Sequence, residues 1–415
     1  MFIWRYLLQL GIIAALLTGC SSAQNRPDAP AAPGAQGPTP ADAPASRVRI
    51  GPPPEQGAAS TIGSEGGADN PETQRSAVAT PDGRVRADVL AYMQELAAAR
   101  GLPLDRLNGV LGDARYSPAV ARLIAPAPGR KISRSWLTYR ARVVEPKRIG
   151  WGMTFWQDNA DTLDQAAQRF GVPAPIIVSI IGVETLYGRN MGSFRVLDAL
   201  STLAFDYPDP SKPERAQLFR DQLGDFLTLT LQGRLDAQTL GSYAGAIGMP
   251  QFMPGSIMRY AVDGDGDGHI DLANSTRDAI LSVGNFLMEH GWQRGIPVFA
   301  PVTLPADPAP LVDGGLAPTR TWAQLQAAGA TGAPTTSTAS DNSGWQRGML
   351  GVIDLPEESA GTAEYRTATV NFFALTQYNR SYFYAASVAD LAAAIQARMR
   401  AVATRPVQLN TPVER

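Results

Sequence analysis

Apolar residues recur at helical spacing soon after position 83. Val89, Leu90, Met93 and Leu96 share one side of residues 85–99, the three-four rhythm of a helix with a buried face. Residues 161–170 repeat that rhythm. A third helix opens at Pro173 and Pro175, because proline is tolerated in a first helical turn. It reads Ile176-Ile177-Val178-Ser179-Ile180-Ile181-Gly182-Val183-Glu184 and ends near Gly188. Residues 278–290 and 387–402 form further amphipathic helices. Between 296 and 370 the pattern breaks, and short apolar runs at 297–304 and 349–355 alternate with Pro and Gly, as short strands do. The pattern predicts a mostly helical body with a small α/β insertion and a C-terminal segment that returns to the body.

The N-terminal apolar run, Leu7 to Leu17 behind Arg5, is too short for a comfortable membrane span and reads as a secretory signal over residues 1–19. Leu17-Thr18-Gly19-Cys20 resembles a bacterial lipobox, which implies lipidation of Cys20, and Ser21 after it implies the outer membrane, with the chain facing the periplasm. Multiple acyl chains anchor stably where one does not. Residues 20–82 are then dominated by Ala, Pro, Gly and Ser. Such a composition cannot bury enough apolar surface to offset its ordering entropy. It predicts a flexible tether with a reach of roughly 40–50 Å.

Composition narrows the chemistry. The 415 residues carry 36 Lys and Arg against 38 Asp and Glu, a net charge of -2, which gives no electrostatic reason to expect nucleic acid as a partner. The single cysteine, Cys20, excludes an internal disulfide framework. The two histidines, His269 and His290, leave little room for a Cys/His zinc site or a histidine triad.

Glu184 is the position that breaks the pattern. Ile177, Ile180 and Ile181 precede it by seven, four and three residues, so all share its helical face. Burying a carboxylate there is costly unless it is paired or neutral. Desolvation raises its pKa, as a general acid requires near neutral pH. Structural pairing with Arg189 or Arg195 is the alternative.

The segment Gly182-Val183-Glu184-Thr185-Leu186-Tyr187-Gly188-Arg189-Asn190-Met191-Gly192 resembles the catalytic segment of the lytic murein transglycosylase B family. Leu197 to Phe205, Gly241 to Pro254, and Tyr378-Asn379-Arg380-Ser381 with Tyr384-Ala385 follow in family order. The resemblance implies a mainly α fold, with a lysozyme-like helical core, an N-terminal helical domain and a small inserted α/β domain. The expected boundaries are 83–150 for the N-terminal helical domain and 151–295 for the core. The insertion covers 296–370, a C-terminal segment at 371–402 completes the core, and 403–415 is a tail.

The same resemblance implies a lyase that cleaves peptidoglycan glycan strands and leaves 1,6-anhydro ends in cell-wall turnover. Glu184 matches the sole catalytic carboxylate. Ser242 would bond the acid or an N-acetyl group. Gln251 and Asn379 would hold sugar edges, while Tyr139, Phe252 and Tyr384 would offer flat faces to sugar rings. Arg215 would meet a peptide carboxylate, although residues 208–214 look like an insertion there. Phe286 stands where relatives carry a tyrosine. The competing readings are a hydrolytic muramidase and a non-catalytic peptidoglycan-binding lipoprotein.

Asp263-Gly264-Asp265-Gly266-Asp267-Gly268-His269 matches the start of an EF-hand loop, in which alternate oxygens converge on a hard cation. His269 would contribute its backbone carbonyl. The twelfth position is Asn274 rather than Glu, and the resemblance implies a longer loop, 263–278, closing on Asp278. A structural Ca²⁺ is expected there, with an acidic turn lacking metal as the alternative. No organic cofactor is expected.

Overall fold

The computed structural model describes residues 75–125, 133–333 and 342–404. The signal segment, Cys20 and the tether up to residue 74 lie outside the described residues, as does the end of the tail.

Six helices come first: α1 (Ala87–Arg100), α2 (Leu104–Leu111), α3 (Pro118–Ile124), α4 (Trp136–Val143), α5 (Pro146–Asp158) and α6 (Ala160–Phe170). The central helix α7 (Ala174–Thr185) follows, then β1 (Phe194–Arg195), α8 (Val196–Phe205), α9 (Pro213–Leu231), β2 (Leu240–Gly241), α10 (Pro254–Tyr260) and α11 (Thr276–Glu289). The insertion holds β3 (Val302–Thr303), α12 (Trp322–Ala327), β4 (Thr331–Gly332), β5 (Gly351–Glu357) and β6 (Thr362–Ala368). The chain ends in α13 (Val370–Tyr378) and α14 (Tyr382–Ala403).

Helix α7 is buried on every side, as expected of a helix that is apolar all round. It packs against α14, α5, α11 and α6. Ile177, Ile180 and Ile181 are wholly buried, each contributing roughly 1.5–3 kcal/mol. Helices α5 and α7 meet across two glycines. The Tyr187 hydroxyl lies between them and donates to the Arg148 carbonyl at 3.0 Å. A Cβ on Gly152 or Gly182 would come within 2.5 Å of that hydroxyl.

Side-chain caps set the helices that carry the site. Ser135 opens α4, Ser275 opens α11 and Ser381 opens α14, each hydroxyl accepting an amide of the first turn. Such a cap is worth about 1 kcal/mol. It also fixes the start of the helix and hence the side chains after it: Tyr139 on α4, Asp278 on α11 and Tyr384 on α14.

The insertion has its own small core of Ala300, Leu325, Ala330, Trp345, Leu350 and Val352. Its β5–β6 hairpin is antiparallel, Gly351 opposite Ala368 and Glu357 opposite Thr362. It is tied back to the body. Glu357 bridges to Ser135, and Asp390 on α14 binds both Arg140 of α4 and Arg366 of β6.

Four expectations are corrected. Leu90 is 41% exposed, because the buried stripe of α1 follows Val89, Met93 and Leu96 and leaves Leu90 a sixth or more of a turn away. The folded part begins before residue 83: Ala77 and Val78 are buried, and Ser76 and Ala79 bridge to Arg115 and Val85. That strip is too short and too Ala-rich to show a period. Of residues 297–304 only Val302–Thr303 is strand, since the prolines on either side remove ladder donors. The N-terminal helices also share one apolar cluster with the core, running from Ala77 to Ile395.

Candidate active site

Glu184 lies in the last turn of α7 and is 8% exposed. Tyr384, 200 residues later on α14, donates its hydroxyl to Glu184 Oε1 at 2.6 Å. Burial pushes the Glu184 carboxyl up to about 7, and the Tyr384 hydrogen bond opposes only part of that rise. The Tyr384 hydroxyl is itself pushed well up, by burial first and then by the facing carboxylate, so it stays a donor. At neutral pH the site holds a carboxyl poised between its two forms, with one oxygen fixed by tyrosine.

The alternative, structural pairing with arginine, does not form. Arg195 binds Asp113 and Asp198, while Arg189 donates to the Leu186 carbonyl and lies over Trp151. The buried carboxyls among the described residues are Glu184, Asp225 and Asp278. Asp225 pairs with Arg100 and Asp278 belongs to the acidic loop, so Glu184 is the one on this face.

Backbone geometry marks the same region. Among the described residues the non-glycine residues with positive φ are Leu186, Tyr187 and Gln251. Holding side chains there costs free energy, and such strain clusters at functional sites. Leu186 and Tyr187 end α7 just beyond the acid. Thr185 locks that end to the loop 241–254 by donating to the Met249 carbonyl at 2.9 Å and accepting the Gly188 amide at 3.0 Å.

The other expected contacts separate into groups. Tyr139 is half-buried on α4. Its hydroxyl is enclosed without a hydrogen bond of good geometry and lies within electrostatic reach of Glu184. Tyr384 offers no face to a sugar, because it is 0% exposed; it meets Glu184 through its hydroxyl. Phe252 is likewise core, 2% exposed against Phe286 and Tyr378; residue type alone does not distinguish a sugar platform from packing. Phe286 is buried among Phe252, Tyr260, His290 and Tyr378.

Gln251 donates its amide to the Met191 and Gly248 carbonyls and so braces the strained loop instead of facing outward. Ser242 accepts the Ala244 and Ala246 amides; the bond expected to the acid gives way to shaping the same loop. Asn379 is 7% exposed at the end of α13. Arg215 sits half-exposed in the first turn of α9, within reach of the Tyr207 hydroxyl. Tyr378 was legible only as a motif letter; its hydroxyl donates to the Pro250 carbonyl at 2.6 Å, tying α13 to the 241–254 loop beside Glu184.

In the acidic loop, Asp263, Asp265 and Asp278 bring carboxylate oxygens within 4.8 Å of one another. Asp267 is not in that group; it is exposed and accepts the His269 amide. The His269 side chain is exposed as well, as a residue expected to offer its backbone carbonyl can be. Asp278 is 1% exposed and accepts the Gly264 and Asp271 amides.

The chain is similar to known proteins in sequence and fold. The membrane-bound lytic murein transglycosylase B of Escherichia coli K12 is 37% identical over 313 residues, covering 73% of this chain and 81% of that protein. The Escherichia coli lytic transglycosylase Slt35, solved in complex with calcium, superposes with a TM-score of 0.61 at 33% identity, covering 80% of this chain and 94% of that one. Pseudomonas aeruginosa SltB3, solved with NAG-NAM-pentapeptide, gives 0.62 at 26% identity, covering 74% and 79%. Residues 85–393 match the transglycosylase SLT domain. By its fold and by that match the chain belongs to the SLT-domain lytic transglycosylases, enzymes that cleave peptidoglycan.

Proposed function

We propose that Glu184 alone carries the proton in both directions. The observation behind this is a buried carboxyl raised to about 7, with Tyr384 on one oxygen. Protonated Glu184 donates to the oxygen linking N-acetylmuramic acid to N-acetylglucosamine. The C1–O bond breaks, and positive charge develops at C1. The 6-hydroxyl of the same muramic acid then attacks C1 and returns its proton to Glu184. One C–O bond is broken and one formed, no water enters, and the acid is regenerated. Ordinary glycosidases need a second carboxylate as nucleophile or base; here the substrate supplies the nucleophile. Tyr384 holds Oε1 and leaves the other oxygen to face the leaving group.

The products test this directly. Sacculi digested by the purified enzyme should release muropeptides one water lighter than hydrolytic products, as seen by mass spectrometry. Reducing-end muramic acid as the main product would favour the muramidase reading instead.

The acidic loop takes Ca²⁺ in this reading, with Asp263, Asp265 and Asp278 as ligands. Oxygens up to 4.8 Å apart are what an ion at about 2.3–2.6 Å from each requires, and all are hard donors. The calcium complex of Slt35 supports the assignment. The role is structural: the ion joins the loop to the start of α11. At a hundredfold excess over Kd a bound ion adds about 2.7 kcal/mol, so Ca²⁺ should raise the Tm by several degrees, and EDTA should reverse it. Equal melting temperatures in both would refute the site.

The relative's membrane-bound character and the lipobox at Cys20 support an outer-membrane lipoprotein facing the periplasm. Cys20→Ser should then move the protein to the soluble fraction; persistence in outer-membrane fractions would contradict the anchor.

A further inference from the structure

The β5–β6 hairpin of the insertion grips the start of α4. Glu357 of β5 accepts the Ser135 hydroxyl at 2.9 Å and the Leu137 amide at 3.2 Å. Glu364 of β6 accepts the indole N–H of Trp136 at 2.9 Å. Arg366, also of β6, donates to Glu364 at 2.6 Å and lies over the Trp136 ring, its guanidinium 5.5 Å from the ring centre. Helix α4 has eight residues. So short a helix is not stable alone, and its tertiary contacts hold it in place.

Asp390 of α14 closes this network. It takes Arg366 on both oxygens, at 2.6 and 3.1 Å, and Arg140 of α4 on one of them. Such charge-assisted, paired bonds fix geometry as well as adding strength. The two helices match face to face. Trp136, Tyr139 and Arg140 share one side of α4, and Phe383, Ser387 and Asp390 share one side of α14. Phe383 meets Trp136 and Tyr139 at 5.4 and 5.5 Å between ring centres. The Tyr139 hydroxyl reaches Ser387.

This register carries Tyr139 to the acid. Its hydroxyl is buried and within electrostatic reach of Glu184. The other titrating groups that face Glu184 are the hydroxyls of Tyr378 on α13 and Tyr384 on α14. Helix α14 packs directly on α7, whereas α4 is held by α14 and β5. We propose that Asp390 and Arg366 are positioning residues for the reaction: they lock α4 onto α14 and keep Tyr139 beside Glu184, so that the inserted hairpin braces the catalytic carboxyl. The proposal rests on Glu184 as the acid, yet half of it is measurable without turnover. Burial is the main cause of the raised Glu184 carboxyl. Once α4 is released, water reaches that carboxyl and its protonation midpoint falls.

The experiment uses the full chain, with isotope-labelled glutamate carboxyls followed by NMR and Glu184→Gln identifying the Glu184 signal. Asp390→Asn keeps the shape and removes the charge. Its Glu184 midpoint should fall by roughly one pH unit from the wild-type value of about 7. Its kcat, measured well below its Tm, should fall about tenfold with KM within about twofold. Asp390→Glu should restore most of both. Arg366→Lys keeps the charge without the paired fork and should lie between. An unchanged midpoint in Asp390→Asn overturns the proposal. So does a lower Tm with midpoint and kcat at wild-type values, which would make the network structural only. Should Asp390→Asn not fold, Arg140→Gln, at the exposed end of the network, takes the same two measurements, and an unchanged midpoint there overturns it equally. If Glu184→Gln stays active, the catalytic reading fails on its own, while a lowered midpoint in Asp390→Asn still shows the brace.

Discussion

Replacing Glu184 by Gln should lower glycan cleavage by about 10²–10⁴-fold, the usual contribution of a positioned acid/base, while the fold and binding to sacculi survive. Glutamine has the same shape and keeps an oxygen able to accept the Tyr384 hydroxyl that now sits 2.6 Å from Oε1. It cannot give a proton to the leaving oxygen or take one from the 6-hydroxyl. The substitution therefore isolates the proton from everything else the side chain does. Released muropeptides and a pull-down on insoluble sacculi measure the two halves separately. Cleavage within a few-fold of wild type would remove Glu184 from the mechanism. Loss of both cleavage and binding together with a lower Tm would show instead that the side chain is structural.

How much of this was readable in advance follows from how local each signal is. Glu184 stood out because Ile177, Ile180, Ile181 and the two prolines lie within one helix; periodicity needs only neighbours. Tyr384 was legible as a motif residue, but its role depends on α14 crossing α7, and no spacing rule encodes a contact across 200 residues. Phe252 and Tyr139 are both aromatic residues in a mixed context, yet one is 2% exposed core and the other is half-buried with its hydroxyl within electrostatic reach of Glu184. Pattern assigns an aromatic to the interior far more readily than it says which edge stays open. In the acidic loop, alternation named Asp263, Asp265 and Asp267 alike. The return of the chain at Ser275 and Asp278 decided which carboxylates converge.

The buried acid should also make the protein less stable than its own amide variant wherever the carboxyl must ionise. Glu184 takes up its proton near 7 in the fold and near 4.5 in the unfolded chain. Below pH 4.5 both states carry the proton, and burial costs the fold nothing electrostatically. As pH rises the unfolded chain ionises first, so the folded state is left behind and stability falls steadily until the folded carboxyl also ionises, near 7. Above that the full penalty stands, about 3 kcal/mol. Glu184→Gln has no such proton to lose. Every other titrating group is common to both proteins, so the difference between their stability curves isolates this one. It should be near zero at pH 4, grow between 4.5 and 7, and level off with the variant about 5 °C higher in Tm at pH 8. Wild-type kcat/KM should fall about tenfold per pH step above 7 over the same range, because the ionised form has no proton to donate. A difference that does not change with pH, or a wild type more stable than the variant at pH 8, would mean that Glu184 is paired or hydrated in the fold. A site that holds its acid half-ionised at neutral pH accepts a weaker fold for it, and the two curves should therefore bend at the same pH.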